Sequence, residues 1–268
     1  MTTVGILHPG SMGAAVAGEL TIRGVDVLWC PQGRSAATAD RAARFGLEPV
    51  RTLRELVDRS ALVISLCPSD AAEPVATAVA DLAFGGLYVE ANAISPDRVA
   101  RIAELLVARG ASVVDGAVVG SPPSATRSPH LYLSGASAEV AQVARLFEGT
   151  KVQARALPGA LGQASGLKLS YTAYQKASRA LAAVAHALAD EYDVTPELLD
   201  IAREHGARHL ADLDYAPDVA AKAQRWTAEL HEVTDALKSA GLPAEMVSAA
   251  ATVMFRLSTA HGDRQARP

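Results

Sequence analysis

The stretch that most constrains this chain is residues 4–20, Val-Gly-Ile-Leu-His-Pro-Gly-Ser-Met-Gly-Ala-Ala-Val-Ala-Gly-Glu-Leu. An apolar run over 4–7 reads as a buried parallel strand, residues 9–13 as a glycine-punctuated turn, and residues 11–22 as a helix of small residues. A strand, tight turn and helix in this order place free N–H groups and the positive end of a helix dipole where a dinucleotide pyrophosphate can sit. Gly10 lets the backbone approach a phosphate, and Gly13 lets helix and strand pack closely. Ser11 and Met12 complete the turn. The first glycine of the G-x-G-x-x-G pattern is His8 here. Held extended by Pro9, it reads as a strand-end residue.

Fold class follows from the alternation that comes next. Apolar strand-like runs over 25–30, 61–66, 87–91 and 112–119 alternate with helical segments over 36–45, 53–57, after Asp70 and from Pro96 to about 109. That pattern predicts an α/β fold, a Rossmann-type doubly wound parallel sheet. Two more strands are expected over 130–134 and 151–154, around a helix at 138–148. Beyond Pro158-Gly159 strand signals stop, and helices are expected over 161–191, 196–203, 217–240 and 243–258. The boundary therefore falls near residue 157: a dinucleotide-binding domain over 1–157 and an all-helical domain over 158–268, for substrate binding and dimerisation. Aromatic residues make up only 4% of the chain, so Ala, Val and Leu fill the core, which favours helices and parallel strands over a sandwich.

The second strand ends at Cys30 and runs into Pro31-Gln-Gly-Arg-Ser35, with no carboxylate to accept from ribose hydroxyls. Arg34 can fork onto a 2′-phosphate, with Ser35 and the Gly33 backbone adding donors. NADP(H) is therefore favoured over a solvated loop arginine. Lys168 follows Gly159, Gly162 and Gly166, and shares a helix face with Tyr171 and Gln175, with Thr172 alongside. A lysine in a partly dry cleft can exchange a proton with a substrate oxygen; the competing reading is an exposed helix lysine. Arg225, Trp226, Glu229 and Glu232 form a second cluster. It reads either as a surface ion pair beside a packing tryptophan or as the wall of a substrate cleft. His205 and His209 are four apart with no third ligand nearby, so no metal is expected.

Gly10-Ser-Met-Gly13, Glu90-Ala-Asn-Ala-Ile-Ser-Pro96, Asp115-Gly-Ala-Val-Val-Gly120 and Gly162-x5-Lys168 resemble the β-hydroxyacid dehydrogenase family. That family includes phosphogluconate and 3-hydroxyisobutyrate dehydrogenases and, more distantly, imine reductases. All four blocks match in order and spacing, across essentially the whole chain. The helical half is similar to a phosphogluconate-dehydrogenase-like subgroup. The resemblance implies that Lys168 is the catalytic lysine and that Asn92 lies against the nicotinamide. It also implies that Leu66, Cys67 and Pro68 line the cofactor, and that Val118, Val119, Gly120 and Ser121 form the substrate-carboxylate loop. Val119 stands where the family has a serine, with Ser121 as a substitute, and Thr172 stands where it has an asparagine, with Tyr171 beside it. The hydride-transfer parts are kept while the groups that hold a simple hydroxy acid are altered. Three functions are compatible with these residues: an NADP(H)-dependent dehydrogenase of a small hydroxy or oxo acid with Lys168 as acid/base, an imine reductase with Tyr171 as donor, and a non-catalytic NADP sensor.

Partners and compartment follow more simply. A net charge of −4 offers no field for nucleic acid. The most apolar helical stretch, 180–189, contains His186 and is too short to span a bilayer. Met1-Thr2-Thr3 leads straight into the first strand, and the two cysteines lack CxxC spacing. A soluble cytoplasmic protein without membrane association is expected. The small-residue surface of the long helix over 161–191 predicts a homodimer through the C-terminal helices.

Overall fold

The computed structural model describes residues 2–211 and 215–265, with residues 215–218, 220, 221 and 260–265 described by their backbone alone. Two compact units divide after Lys168: Met1–Lys168 and Leu169–Pro268.

The first unit is built on one eight-stranded sheet, β1 (Thr3–Ile6), β2 (Asp26–Trp29), β3 (Glu48–Pro49), β4 (Leu62–Ser65), β5 (Leu87–Glu90), β6 (Ser112–Val119), β7 (His130–Ser134) and β8 (Gln153–Ala156). Their spatial order is β3-β2-β1-β4-β5-β6-β7-β8. All neighbours pair in parallel except β6 and β7, which run antiparallel with Asp115 opposite Ser134 and Val119 opposite His130. The turn after Val119 is short of a full helical crossover, and a chain that returns without one must pair antiparallel.

Helices α1 (Ser11–Ile22), α2 (Ala36–Arg44), α3 (Leu53–Arg59), α4 (Ala72–Ala80), α5 (Pro96–Val107) and α6 (Ser137–Leu146) cover the sheet, with a 3-10 turn at Ser69–Ala71 before α4. Side chains alternate across each strand, and the core is accordingly split in two. Val27, Trp29, Leu62, Ile64, Leu87 and Val89 pack on one face with Val16 and Leu20 of α1 and Val140 and Val143 of α6. Leu28, Val63 and Tyr88, each offset by one residue, pack on the other with Leu56 of α3, Val79 of α4 and Ile102 of α5. All of β4 is buried, as its unbroken apolar run requires.

β8 starts two residues later than the sequence suggests, because Lys151 is used in a turn where its N–H meets the buried Glu19 carboxylate at 2.9 Å. Helix α7 (Gln163–Glu191) begins in the first unit.

The second unit holds the rest of α7 with α8 (Thr195–Glu204), α9 (Tyr215–Ser239) and α10 (Glu245–Gln265). Its core is Leu169, Ala180, Ala223, Trp226, Leu230, Val233, Val247, Ala251 and Met254, from α7, α9 and α10. Among the described residues, no helix is long and apolar enough to cross a membrane.

Candidate active site

Strand order reverses between β1 and β4, and in open α/β sheets the crevice outside the carboxyl ends of such strands takes the ligand. The first wall is the turn from β1 into α1. Gly10 caps α1 in an extended conformation with no side-chain cap, and no acidic residue occupies the first turn. The N–H groups of Ser11, Met12 and Gly13 therefore start a helix whose positive end is left to a ligand. Gly13 has no substitute here: a Cβ would meet the His8 carbonyl oxygen at 2.5 Å.

The end of β2 carries a cationic cluster. Arg34 turns back toward β1, with Nη1 2.9 Å from His8 Nδ1 and Nη2 donating to the Leu7 carbonyl at 3.2 Å. Ser35 caps α2 by accepting from the Thr38 N–H, and Arg41 donates from α2 to the Thr38 hydroxyl at 3.0 Å. The Nε atoms of Arg34 and Arg41 are both buried without a hydrogen-bond partner. Gly33 is exposed at a positive φ of 72° and forms the tip of this turn. Arg41 escaped the sequence reading, although its place seven residues after Arg34 is the signal that would have found it.

The second wall follows β4. Leu66, Cys67 and Pro68 are held by Asn92 at the end of β5, whose Oδ1 accepts from the Cys67 N–H while Nδ2 donates to Ser65 Oγ at 2.9 Å. The Asn92 backbone N–H in turn donates to Glu90 Oε1 at 3.0 Å. Asn92 is buried, and these three bonds make it a strut between the β4 and β5 loops. Burial pushes the Cys67 thiol up to about 11, so no thiolate is present at neutral pH. Burial likewise pushes the Glu90 carboxyl up to about 8, with the nearby Asp115 charge adding to it and the Asn92 N–H opposing it.

The third element joins β6 to the start of α7. Asp115 is fully buried, and its two oxygens accept from the Ser165 N–H at 2.9 Å, the Ser165 hydroxyl at 2.6 Å and the Ser134 hydroxyl at 3.0 Å. The Ser134 hydroxyl accepts from the Ala164 N–H at 3.0 Å. The first turn of α7 is thus capped by a carboxylate from the sheet, the sign its dipole favours. Burial raises the Asp115 pKa, and the Ser165 and Ser134 donors pull it back. One turn beyond Ser165, Lys168 donates from Nζ to the Val118 carbonyl at 2.9 Å. Lys168 is thereby brought to the segment of Val118, Val119, Gly120 and Ser121 at the end of β6. Gly120 ends the strand with φ of 122°, a conformation that opens the following loop and that L side chains rarely adopt.

The other expected residues belong to the second unit. Tyr171 is exposed, with its hydroxyl accepting from Gln175 at 3.3 Å, and Thr172 is buried. Trp226 is buried in the helical core, with Lys176 Nζ and the Arg179 guanidinium 5.7 and 5.3 Å from its ring. Glu229 pairs with the buried Lys176, while exposed Arg225 reaches Glu229 at 3.5 Å. The expected Arg225–Glu229 pair is present, but the buried partner of Glu229 is Lys176, which pattern alone did not pick out. Among the described residues, no three His, Cys, Asp or Glu side chains group as a metal site.

Residues 3–154 match the family model described as the NAD binding domain of 6-phosphogluconate dehydrogenase. The chain belongs to that family, among the β-hydroxyacid dehydrogenases. Residues 189–257 match a second model, a domain of unknown function (DUF1932). An uncharacterized 28.5 kDa protein of Methanothermus fervidus is 27% identical over 189 residues, 70% of this chain and 72% of that protein. The fold is shared with solved structures. A 3-hydroxyisobutyrate dehydrogenase of Mycobacterium tuberculosis is 20% identical, with 97% of this chain and 94% of that one covered and a TM-score of 0.78. A reductive aminase of Aspergillus terreus is 22% identical, with 99% and 95% covered and a TM-score of 0.61. The first domain of this chain is therefore an NAD(P)-binding domain of the hydroxyacid dehydrogenase type.

Proposed function

We propose that this protein is an NADP(H)-dependent oxidoreductase that passes a hydride between the nicotinamide and the C–O carbon of a small, acidic hydroxy or oxo substrate. Lys168 is its general acid/base. The observation that carries this reading is the Lys168 Nζ bond to the Val118 carbonyl at 2.9 Å. It aims an amine at the loop after β6, on a helix whose first turn is fixed by Asp115.

The residues at the crevice fit the cofactor. The uncapped first turn of α1 suits the pyrophosphate. Arg34 and Arg41, each with a buried Nε lacking a partner, suit a 2′-phosphate, with Gly33 and Ser35 beside them. Leu66, Cys67 and Pro68, fixed by Asn92, suit the nicotinamide side. A nicotinamide bound here supplies or takes the hydride. The chain's own part is orientation and a proton. The Val118 carbonyl takes one N–H of Lys168 and fixes its tip, and Nζ exchanges a proton with the substrate oxygen as the C–O bond order changes. Gly120 and Ser121 offer backbone and hydroxyl donors to a substrate carboxylate. In the helical unit, Glu229 is engaged by Lys176, and Trp226 and Thr172 are both buried, so of the residues expected there Arg225 is the exposed one.

A second reading is favoured by one observation: Tyr171 is exposed and its hydroxyl accepts from Gln175, which leaves the O–H proton to be donated to an imine. A protonated Lys168 repels an iminium ion, which weighs for the carbonyl or alcohol. A panel of short hydroxy and oxo acids against cyclic imines, followed at the NADPH absorbance band, separates them. Turnover is expected with the acids. Turnover with imines alone moves the assignment to the second reading, and tight NADPH binding without any turnover moves it to a sensor.

The second copy proposed as partner covers α7, where Tyr174, Leu181 and Leu188 repeat every seven residues and are all exposed, with exposed Tyr192 just past the helix end. Light scattering at micromolar concentration is expected to give twice the chain mass; a monomer mass sinks the dimer. A reducing, cytoplasmic compartment fits Cys30 and Cys67, both free thiols.

A further inference from the structure

His8 occupies the position where a dinucleotide fingerprint carries its first glycine, and nothing in the proposed chemistry uses it. Its ring lies beside Gly10: a Cβ on Gly10 would stand 3.8 Å from His8 Cδ2. Its Nδ1 is 2.9 Å from Arg34 Nη1. A guanidinium only donates, so Nδ1 is the lone-pair nitrogen and the ring proton sits on Nε2. The groups that face the ring with charge are Arg34 from the turn after β2 and Arg41 from α2. Together with burial, which is the larger effect, these two cations disfavour protonation of His8 and keep it an acceptor.

The consequence for Arg34 is specific. One of its five N–H donors goes to His8 and one to the Leu7 carbonyl, so its guanidinium is pinned against the end of β1. Its Nε is buried and unpartnered, and the outer Nη hydrogens are left over. A glycine at position 8 supplies no side-chain acceptor, and an arginine held by fewer bonds gives up more rotamer freedom on binding. A guanidinium held in advance presents its remaining donors to a phosphate at lower entropic cost.

We propose that His8 is a positioning residue that holds the Arg34 guanidinium ready for the 2′-phosphate, so that the preference for NADPH over NADH depends on His8 as well as on Arg34. This rests on the NADP(H) reading above.

The test is the ratio of NADPH to NADH affinities, measured by nicotinamide fluorescence, for the wild type, Arg34→Ala, His8→Ala, His8→Asn and the double variant. Arg34→Ala is expected to lower the ratio about 10- to 100-fold, the loss of a charge-assisted contact. His8→Ala is expected to lower it roughly 3- to 10-fold, and the double variant no further than Arg34→Ala alone, because the two residues act as one unit. His8→Asn keeps an acceptor near the Nδ1 position and is expected to retain most of the preference. His8→Gly, which restores the fingerprint glycine, replaces His8→Ala should that variant fail to fold. A wild-type ratio in His8→Ala or His8→Gly, or a parallel loss of both cofactors, overturns the positioning role while a lowered ratio in Arg34→Ala leaves the NADP(H) reading standing. A wild-type ratio in Arg34→Ala overturns both.

Discussion

Lys168→Ala is expected to lower kcat by about 10²- to 10⁴-fold, the usual share of a positioned general acid/base, while NADPH still binds. The two halves of this prediction have separate physical sources. Lys168 hydrogen-bonds the Val118 carbonyl at the end of β6, three strands away from β1 in the sheet order. The groups assigned to the pyrophosphate and 2′-phosphate lie after β1 and β2. Removing the amine therefore takes the proton donor from the substrate oxygen without touching those groups. Stopped-flow measurement of hydride transfer, alongside NADPH titration by fluorescence, reads both halves at once. Near-wild-type turnover in Lys168→Ala would sink the assignment of the acid/base. Loss of NADPH binding together with turnover would instead mean that Lys168 supports the fold of the crevice.

How much of this was legible in the sequence depends on the range of the interaction involved. Local patterning located the strands well: β6 and β7 fall on the expected residues, because an unbroken apolar run or strict alternation is read within one element. The turn from β1 into α1 and the arginine after β2 were legible for the same reason. Long-range polar bonds were not. Nothing in the spacing of Asp115, Ser134 and Ser165, which are 19 and 50 residues from Asp115, shows that they meet in one buried capping site. The same holds for Arg34 and His8, 26 residues apart. His8 reads only as a strand-end residue because the fingerprint is a local pattern, while its hydrogen-bond partner comes from the next βα unit. The cluster of Arg225, Trp226 and Glu229 was seen along its own helix, but Lys176, which decides the burial of Glu229, lies on another.

Glu90 makes the folded protein lose stability as pH rises, and Glu90→Gln is expected to remove that loss. The carboxyl is fully buried at the end of β5, faced by Tyr88, Ser65 and Cys67 on its side of the sheet and by the charges of Asp115 and Arg98. Its Oε1 accepts from the Asn92 N–H, and its Oε2 has no partner. Burial is the largest influence and holds the folded pKa at about 8, against 4.5 for the ordinary group. Below about pH 4.5 the group is protonated in both folded and unfolded chains, and folding is indifferent to pH on its account. Between these limits the unfolded chain gives up the proton and the folded chain keeps it, so stability falls by about 1.4 kcal/mol per pH unit. Above about pH 8 the carboxylate is charged in both, and the accumulated cost reaches as much as about 5 kcal/mol. Asp115, also raised by burial, adds a loss of the same sign but is common to both proteins, so the difference between them reports Glu90. In the Glu90→Gln variant the amide keeps an oxygen that accepts from Asn92 and carries no titratable proton. Urea unfolding at pH 5, 7 and 9 is therefore expected to give curves that nearly coincide at pH 5 and separate progressively toward pH 9, with Glu90→Gln the more stable. Parallel curves across that range would show that Glu90 reaches water and titrates as an ordinary glutamate, and the carboxyl would then be charged beside Asn92 at neutral pH.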